Sequence, residues 1–165
     1  MILMIARDLA HDFPAMRSDA RLMDVLAVMV RGNLPGVVIL DFSGRPQATL
    51  SLPKVLDLLL PWPFRESPNL AKVLPEETGD RILTEALHRP IGDLLSALPA
   101  WEHCRVPGHA TNLEVVTAMT RQRSPLATVF DAGAGPNVIC ANRLLARLLQ
   151  ALSEGSLGQG AGCRS

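Results

Sequence analysis

The feature that most constrains this chain is that it repeats itself. A single shift takes Ala20 onto Ala110, Asp24 onto Glu114, Val25 onto Val115, Met29 onto Met119, Arg31 onto Arg121, Pro35 onto Pro125 and Asp41 onto Asp131. The register slips by one residue in the following turn, so that Ser51 falls on Cys140. Upstream, a slightly shorter shift takes Arg7-Asp8-Leu9 onto Gly92-Asp93-Leu94. The 165 residues are therefore two half-modules that share a core.

Each copy carries the same order of local signals. Leu22, Val25, Leu26 and Met29 make one apolar helical stripe that stops at Gly32-Asn33. The β-branched run 36–40, the turn 41–44 and the run 47–50 read as a hairpin, and leucines at helical spacing from Pro53 to Leu60 end at Pro61-Trp62-Pro63. In the second copy Leu113, Val116 and Met119 form the stripe, 127–130 and 137–140 the strands, 131–136 the turn, and Leu144, Leu145, Leu148, Leu149 and Leu152 the closing helix. Each copy thus reads as a short lead-in strand, a helix, a hairpin and a helix. The fold class is α+β, with two βαββα repeats joined by a helical connector. The boundaries are 1–62 for the first repeat, 63–90 for the connector, which holds weakly amphipathic segments at 70–74 and 80–88, 91–152 for the second repeat and 153–165 for a Gly/Ser-rich disordered tail.

Composition removes whole classes of function. Sixteen basic residues balance sixteen acidic ones and aromatic residues make up 4%, which fits neither a basic nucleic-acid groove nor a platform for stacking bases. With 48% hydrophobic residues the chain can bury a core. Its longest apolar runs, at 1–6 and 36–40, are far too short to cross a bilayer, and the N-terminus lacks the pattern of an export signal. No membrane insertion and a cytoplasmic location are expected. Cys104, Cys140 and Cys163 fit reduced thiols. His103, Cys104 and His109 lack the spacing of a metal site, His11-Asp12 has no accompanying nucleophile, and no catalytic set emerges. The chain reads as non-enzymatic.

Two such units, each opening with an Asp-Leu pair and ending in a strand that feeds directly into a helix, resemble a tandem pair of cystathionine-β-synthase-type (CBS) domains, a Bateman module. The resemblance rests on Ser18 to Asp41 with Gly44 to Ser51, and on Thr111 to Asp131 with Pro136 to Arg143. It implies pseudo-two-fold packing of two small sheets, clefts that bind adenosine-containing ligands, and a stand-alone regulatory module that forms a homodimer and reports to an enzyme or transporter. No cofactor is required; the implied ligand is AMP, ADP, ATP or S-adenosylmethionine.

The family's ligand signature is a Ser or Thr at the end of the last strand and, three residues later, an Asp that takes the ribose hydroxyls. The hydroxyl caps a helix whose free N–H groups and dipole favour a phosphate. Here the pairs are Ser51 with Lys54 and Cys140 with Arg143, so both carboxylates are replaced by cations. Either Lys54 and Arg143 form paired anion sites, or their heads reach into water while their stems cover apolar surface. Ser51 reads equally as an ordinary helix cap and Cys140 as a small hydrophobe. Leu34-Pro35 and Arg123 with Pro125 precede the core strands, where the family presents surface to a base; Arg123 also reads as a solvated helix-end arginine. The alternative to ligand sensing is a ligand-free interaction or dimerisation module that works through leucine-rich helices at 55–60 and 144–152.

Overall fold

Ala6 and Leu9 bury one face of a single helical turn, α1 (Ala6–Leu9), so the Asp-Leu pair expected in a lead-in strand is helical. Asp8 fixes where the turn begins, because its carboxylate accepts a hydrogen bond from Ile5 N at 3.1 Å and so satisfies a donor at the helix start. This computed structural model describes residues 4–96, 103–133 and 135–159, with side chains up to residue 155. Two short strands follow, β1 (His11–Asp12) and β2 (Ala15–Arg17), which belong to different sheets.

Leu22, Val25 and Met29 are buried along α2 (Leu22–Gly32). The helix ends on Asn33, left-handed at φ 47°, and Leu34 N then donates to Met29 O at 2.9 Å. β3 (Gly36–Leu40) and β4 (Pro46–Ser51) pair antiparallel, and β2 pairs parallel to β3. Asp41 shapes the turn between them by accepting from Ser43 N and Arg45 N, with Gly44 at φ 79°. α3 (Leu52–Leu59) leaves β4 without a loop and is followed by α4 (Trp62–Glu66), α5 (Leu70–Val73), α6 (Glu76–His88) and α7 (Ile91–Ser96).

The second copy repeats this plan with β5 (Arg105–Val106), α8 (Asn112–Gln122), β6 (Leu126–Val129), β7 (Asn137–Cys140) and α9 (Ala141–Gln159). Thr111 starts α8 with a reciprocal cap: its hydroxyl accepts from Glu114 N at 3.3 Å and Glu114 Oε2 accepts from Thr111 N at 2.7 Å. The Thr111 bonds, from backbone and then side chain, hold the Glu114 carboxyl below its ordinary value. Arg123 ends the helix at φ 47°, at the position equivalent to Asn33. Two expectations fail in this copy. The buried face of α8 carries Val115 and Met119, whereas Leu113 is 76% exposed and Val116 is also exposed, because the helix keeps the phase of Val25 and Met29 in α2. α9 continues through 153–159, where a disordered tail is expected, since Ser153 to Gln159 extends the helix that Leu144 and Leu148 anchor. Residues 160–165, Cys163 among them, lie outside the described residues.

The compact units are divided differently from the sequence boundaries. One is contiguous, Pro14–His103, with sheet order β2-β3-β4; the other is split, Met1–Phe13 with Cys104–Ser165, with sheet order β1-β7-β6-β5. α7 precedes the second repeat in sequence, yet Ile91, Leu94 and Leu95 pack into the core of the contiguous unit with Leu22, Val37 and Leu50. Ala6 and Leu9 of α1 likewise join the core of the split unit with Val115, Val129 and Ile139. The seams match: Ile91 N donates to Ala20 O at 2.9 Å and Gly92 N to Ser18 O at 2.8 Å, as Ala6 N does to Ala110 O and Arg7 N to Gly108 O, both at 2.8 Å. The connector helices α4 to α6 fall within the contiguous unit.

Candidate functional site

In the contiguous unit Gly36 pairs with Ser51, and Leu52 N donates to Pro35 O at 3.3 Å. These contacts set Leu34-Pro35 beside the junction where β4 becomes α3. Ser51 occupies the cap position in extended geometry (φ −91°, ψ 164°) but makes no side-chain cap bond. One of the two donors such a cap can reach is absent, because Pro53 has no N–H. Ser51 is only 2% exposed, and its Oγ is buried with no hydrogen-bond partner among the described residues. The ordinary-cap reading of Ser51 is therefore not what the structure holds. Lys54 is half-buried and turns back along the strand, where its Nζ donates to Thr49 O at 3.4 Å.

The split unit builds the same junction with other side chains. Leu126 pairs with Cys140, and Ala141 N donates to Pro125 O at 2.9 Å, so Pro125 lies beside the β7–α9 junction as Pro35 does beside the first. Cys140 is half-buried with a free thiol, and both Arg143 and Arg123 are exposed. Ser124, which sequence reasoning passed over, is buried and folded onto the start of β6: its Oγ donates to Leu126 O at 2.7 Å and accepts from Leu126 N at 3.3 Å. The repeat offered a signal, since Ser124 is the counterpart of Leu34 and breaks an apolar position.

The two junctions thus share a backbone and differ in chemistry. The first amide of each helix is already bonded, Leu52 N to Pro35 O and Ala141 N to Pro125 O, so what each helix start turns toward its junction is the positive end of its dipole. The first adds a buried hydroxyl and a lysine tethered to the strand; the second offers a thiol and a solvent-facing arginine. Neither has a carboxylate at the position three residues into the helix.

A strand, helix, hairpin and helix occurring twice, each ending in a strand that runs directly into a helix, is the fold of a tandem pair of CBS domains. The chain is similar to a CBS domain-containing protein of unknown function from Kribbella flavida, with 29% identity, a TM-score of 0.67, and 88% of this chain and 99% of that one covered. It also shares its fold with the CBS domain of a CBS domain-containing membrane protein from Sphaerobacter thermophilus (16% identity, TM-score 0.60, 87% of each chain). A third structure with this fold is CBSX2 in complex with AMP (14% identity, TM-score 0.61, 90% of this chain and 98% of that one). No protein-family model and no curated protein matches the chain. Among the described residues no helix is long and apolar enough to cross a membrane.

Proposed function

We propose that the chain is a non-enzymatic regulatory module that binds an anionic metabolite, an adenine nucleotide first among them, at its strand-to-helix junctions. The observation that carries this reading is the buried, unbonded Ser51 hydroxyl at the start of α3, with Leu34-Pro35 beside it. An unsatisfied buried hydroxyl costs about 1–3 kcal/mol. A ligand phosphate accepting from it at the positive end of the helix offsets that cost. AMP in CBSX2 supports the choice of nucleotide. Lys54 and Arg143, where the family has ribose carboxylates, favour the phosphate over the sugar as the recognised group, and Arg123 and Pro125 flank the second junction. Binding would act on an enzyme or transporter partner only through different affinities for the module's alternative states. Among the described residues neither Cys104 nor Cys140 forms a disulfide, which suits a reducing, cytoplasmic setting.

Thermal unfolding with AMP, ATP, S-adenosylmethionine, NAD and inorganic phosphate tests the proposal. A ligand at a hundredfold over its Kd adds roughly 2.7 kcal/mol, a readily measured rise in Tm. Ser51→Ala is expected to leave the unliganded protein as stable or more so, and to weaken binding by roughly ten- to a hundredfold. Unchanged melting with all five compounds would reject the reading, as would a Ser51→Ala variant that binds normally.

A second reading, a homodimer or partner-docking module without ligand, is favoured by one observation: α9 leaves Leu145, Leu149 and Leu152 exposed along one side, Leu149 at 65%, and α3 leaves Leu56 exposed. Sedimentation at micromolar concentration is then expected to show a dimer that Leu149→Glu dissociates. A monomer throughout that range would count against a self-associating role.

A further inference from the structure

Trp62, on the first turn of α4, is 55% exposed, an unusual place for the largest apolar side chain. It stands on the rim of a cavity of about 290 Å³ within the contiguous unit, at the end of α3 opposite to the β4–α3 junction. Leu58 of α3, Ala86 of α6 and Leu94 of α7 line it, and all three are buried in the core. Among its other lining residues, three are charged, Arg65, Glu85 and Arg89, beside apolar ones such as Leu60 and Ile82. Arg65 Nε donates to Leu60 O at 3.2 Å, which fixes the side chain and leaves the rest of its donor fork. Arg89 is exposed at the end of α6, and its backbone is held on both sides, N–H to Ala86 O at 3.2 Å and carbonyl from Leu22 N at 3.0 Å. An apolar floor with a few polar groups at the mouth is the pattern of a small-molecule site.

We propose that this cavity is a second ligand site, and that it takes a small aromatic monocarboxylate. The aromatic body would lie on the leucine floor against Trp62, and the carboxylate would bridge Arg65 and Arg89. Glu85 offsets one of the two positive charges, which favours a monoanion over a dianion such as a phosphate monoester. The cavity is near the lower end of ligand-pocket sizes, which suits a body of one or two fused rings. The inference goes beyond the nucleotide proposal and stands or falls without it.

The test is calorimetric titration of the full chain with naphthalene-2-carboxylate and with 2-naphthalenemethanol, its uncharged match. The carboxylate is expected to bind saturably, one per chain, and roughly tenfold more tightly than the alcohol. In Arg89→Gln, whose backbone contacts are untouched, that preference should fall to about one while the alcohol binds as before. Arg65→Gln should reduce it as well, whereas Lys54→Glu should leave it unchanged. Absence of saturable binding, or a preference that survives both arginine substitutions, overturns the proposal. Loss of carboxylate binding in Lys54→Glu would overturn it too, by placing the ligand at the β4–α3 junction.

Discussion

Gly108→Ala is expected to destabilise the chain by about 2 kcal/mol. A Cβ at this position would meet Asp131 Oδ1 at 2.5 Å and the Arg7 Nε and Nη2 atoms at 3.1 Å each. Both neighbours are the ends of flexible side chains and can swing aside, and Gly108 is not among the residues held at positive φ, so overlap and backbone strain are minor. The larger cost is chemical. Gly108 N donates to the Asp131 carboxylate, and moving that carboxylate strips a buried amide of its charge-assisted acceptor. A double-mutant cycle isolates the bond: Asp131→Ala removes it from the other side, so the double variant should be more stable than the sum of the singles predicts by about 1–2 kcal/mol. Strict additivity in urea unfolding would show that the bond contributes nothing. Gly79→Ala supplies the contrast. Nothing lies within 4 Å of a Cβ there, and alanine within α6 should add about 0.5–1 kcal/mol.

Leu50→Ala and Ile139→Ala are expected to have the largest effects of all, about 2–5 kcal/mol each. Both side chains are completely buried, and they occupy the same place in the repeat, on the second strand of each hairpin. Leu50 pairs with Val37 and Ile139 with Ala127. Each belongs to a different core cluster, so the two losses should be of one size class although the residues are unlike in shape. Chemical denaturation of both variants checks this. A cost under about 1 kcal/mol for either would mean that its unit can collapse around the missing atoms.

Much of this fold is legible in the sequence because the repeat doubles every signal. Asn33 and Arg123 end equivalent helices, and Asp41 and Asp131 follow equivalent strands. Where periodicity and repeat disagree, the repeat is the better guide. The spacing of Leu113, Val116 and Met119 looks helical, but alignment with Val25 and Met29 selects Val115 and Met119, and those are the buried pair. The exchange of α1 and α7 is not legible, because order along the chain says nothing about which core an amphipathic turn joins. The site is legible in position and not in state. Ser51 is visible at the strand end, yet only the fold reveals that its hydroxyl is buried and has no hydrogen-bond partner among the described residues. Ser124 escaped notice because its bonds to Leu126 join residues two apart in the chain, a local use of serine that sequence pattern does not mark.

The division into one contiguous and one split unit bears on the order in which the chain can fold. During synthesis every residue of Pro14–His103 emerges before any strand of the other sheet except β1. If that segment were still coil, bringing α1 and β1 to β5–β7 would close a loop of about 90 residues, at an entropic cost near 4 kcal/mol. A folded contiguous unit removes most of that cost, since the Ser18–Gly92 and Ala20–Ile91 bonds already hold its two ends together. The seam that looks like packing detail thus acts as a clasp, by which the half that folds first shortens the search for the half that folds second.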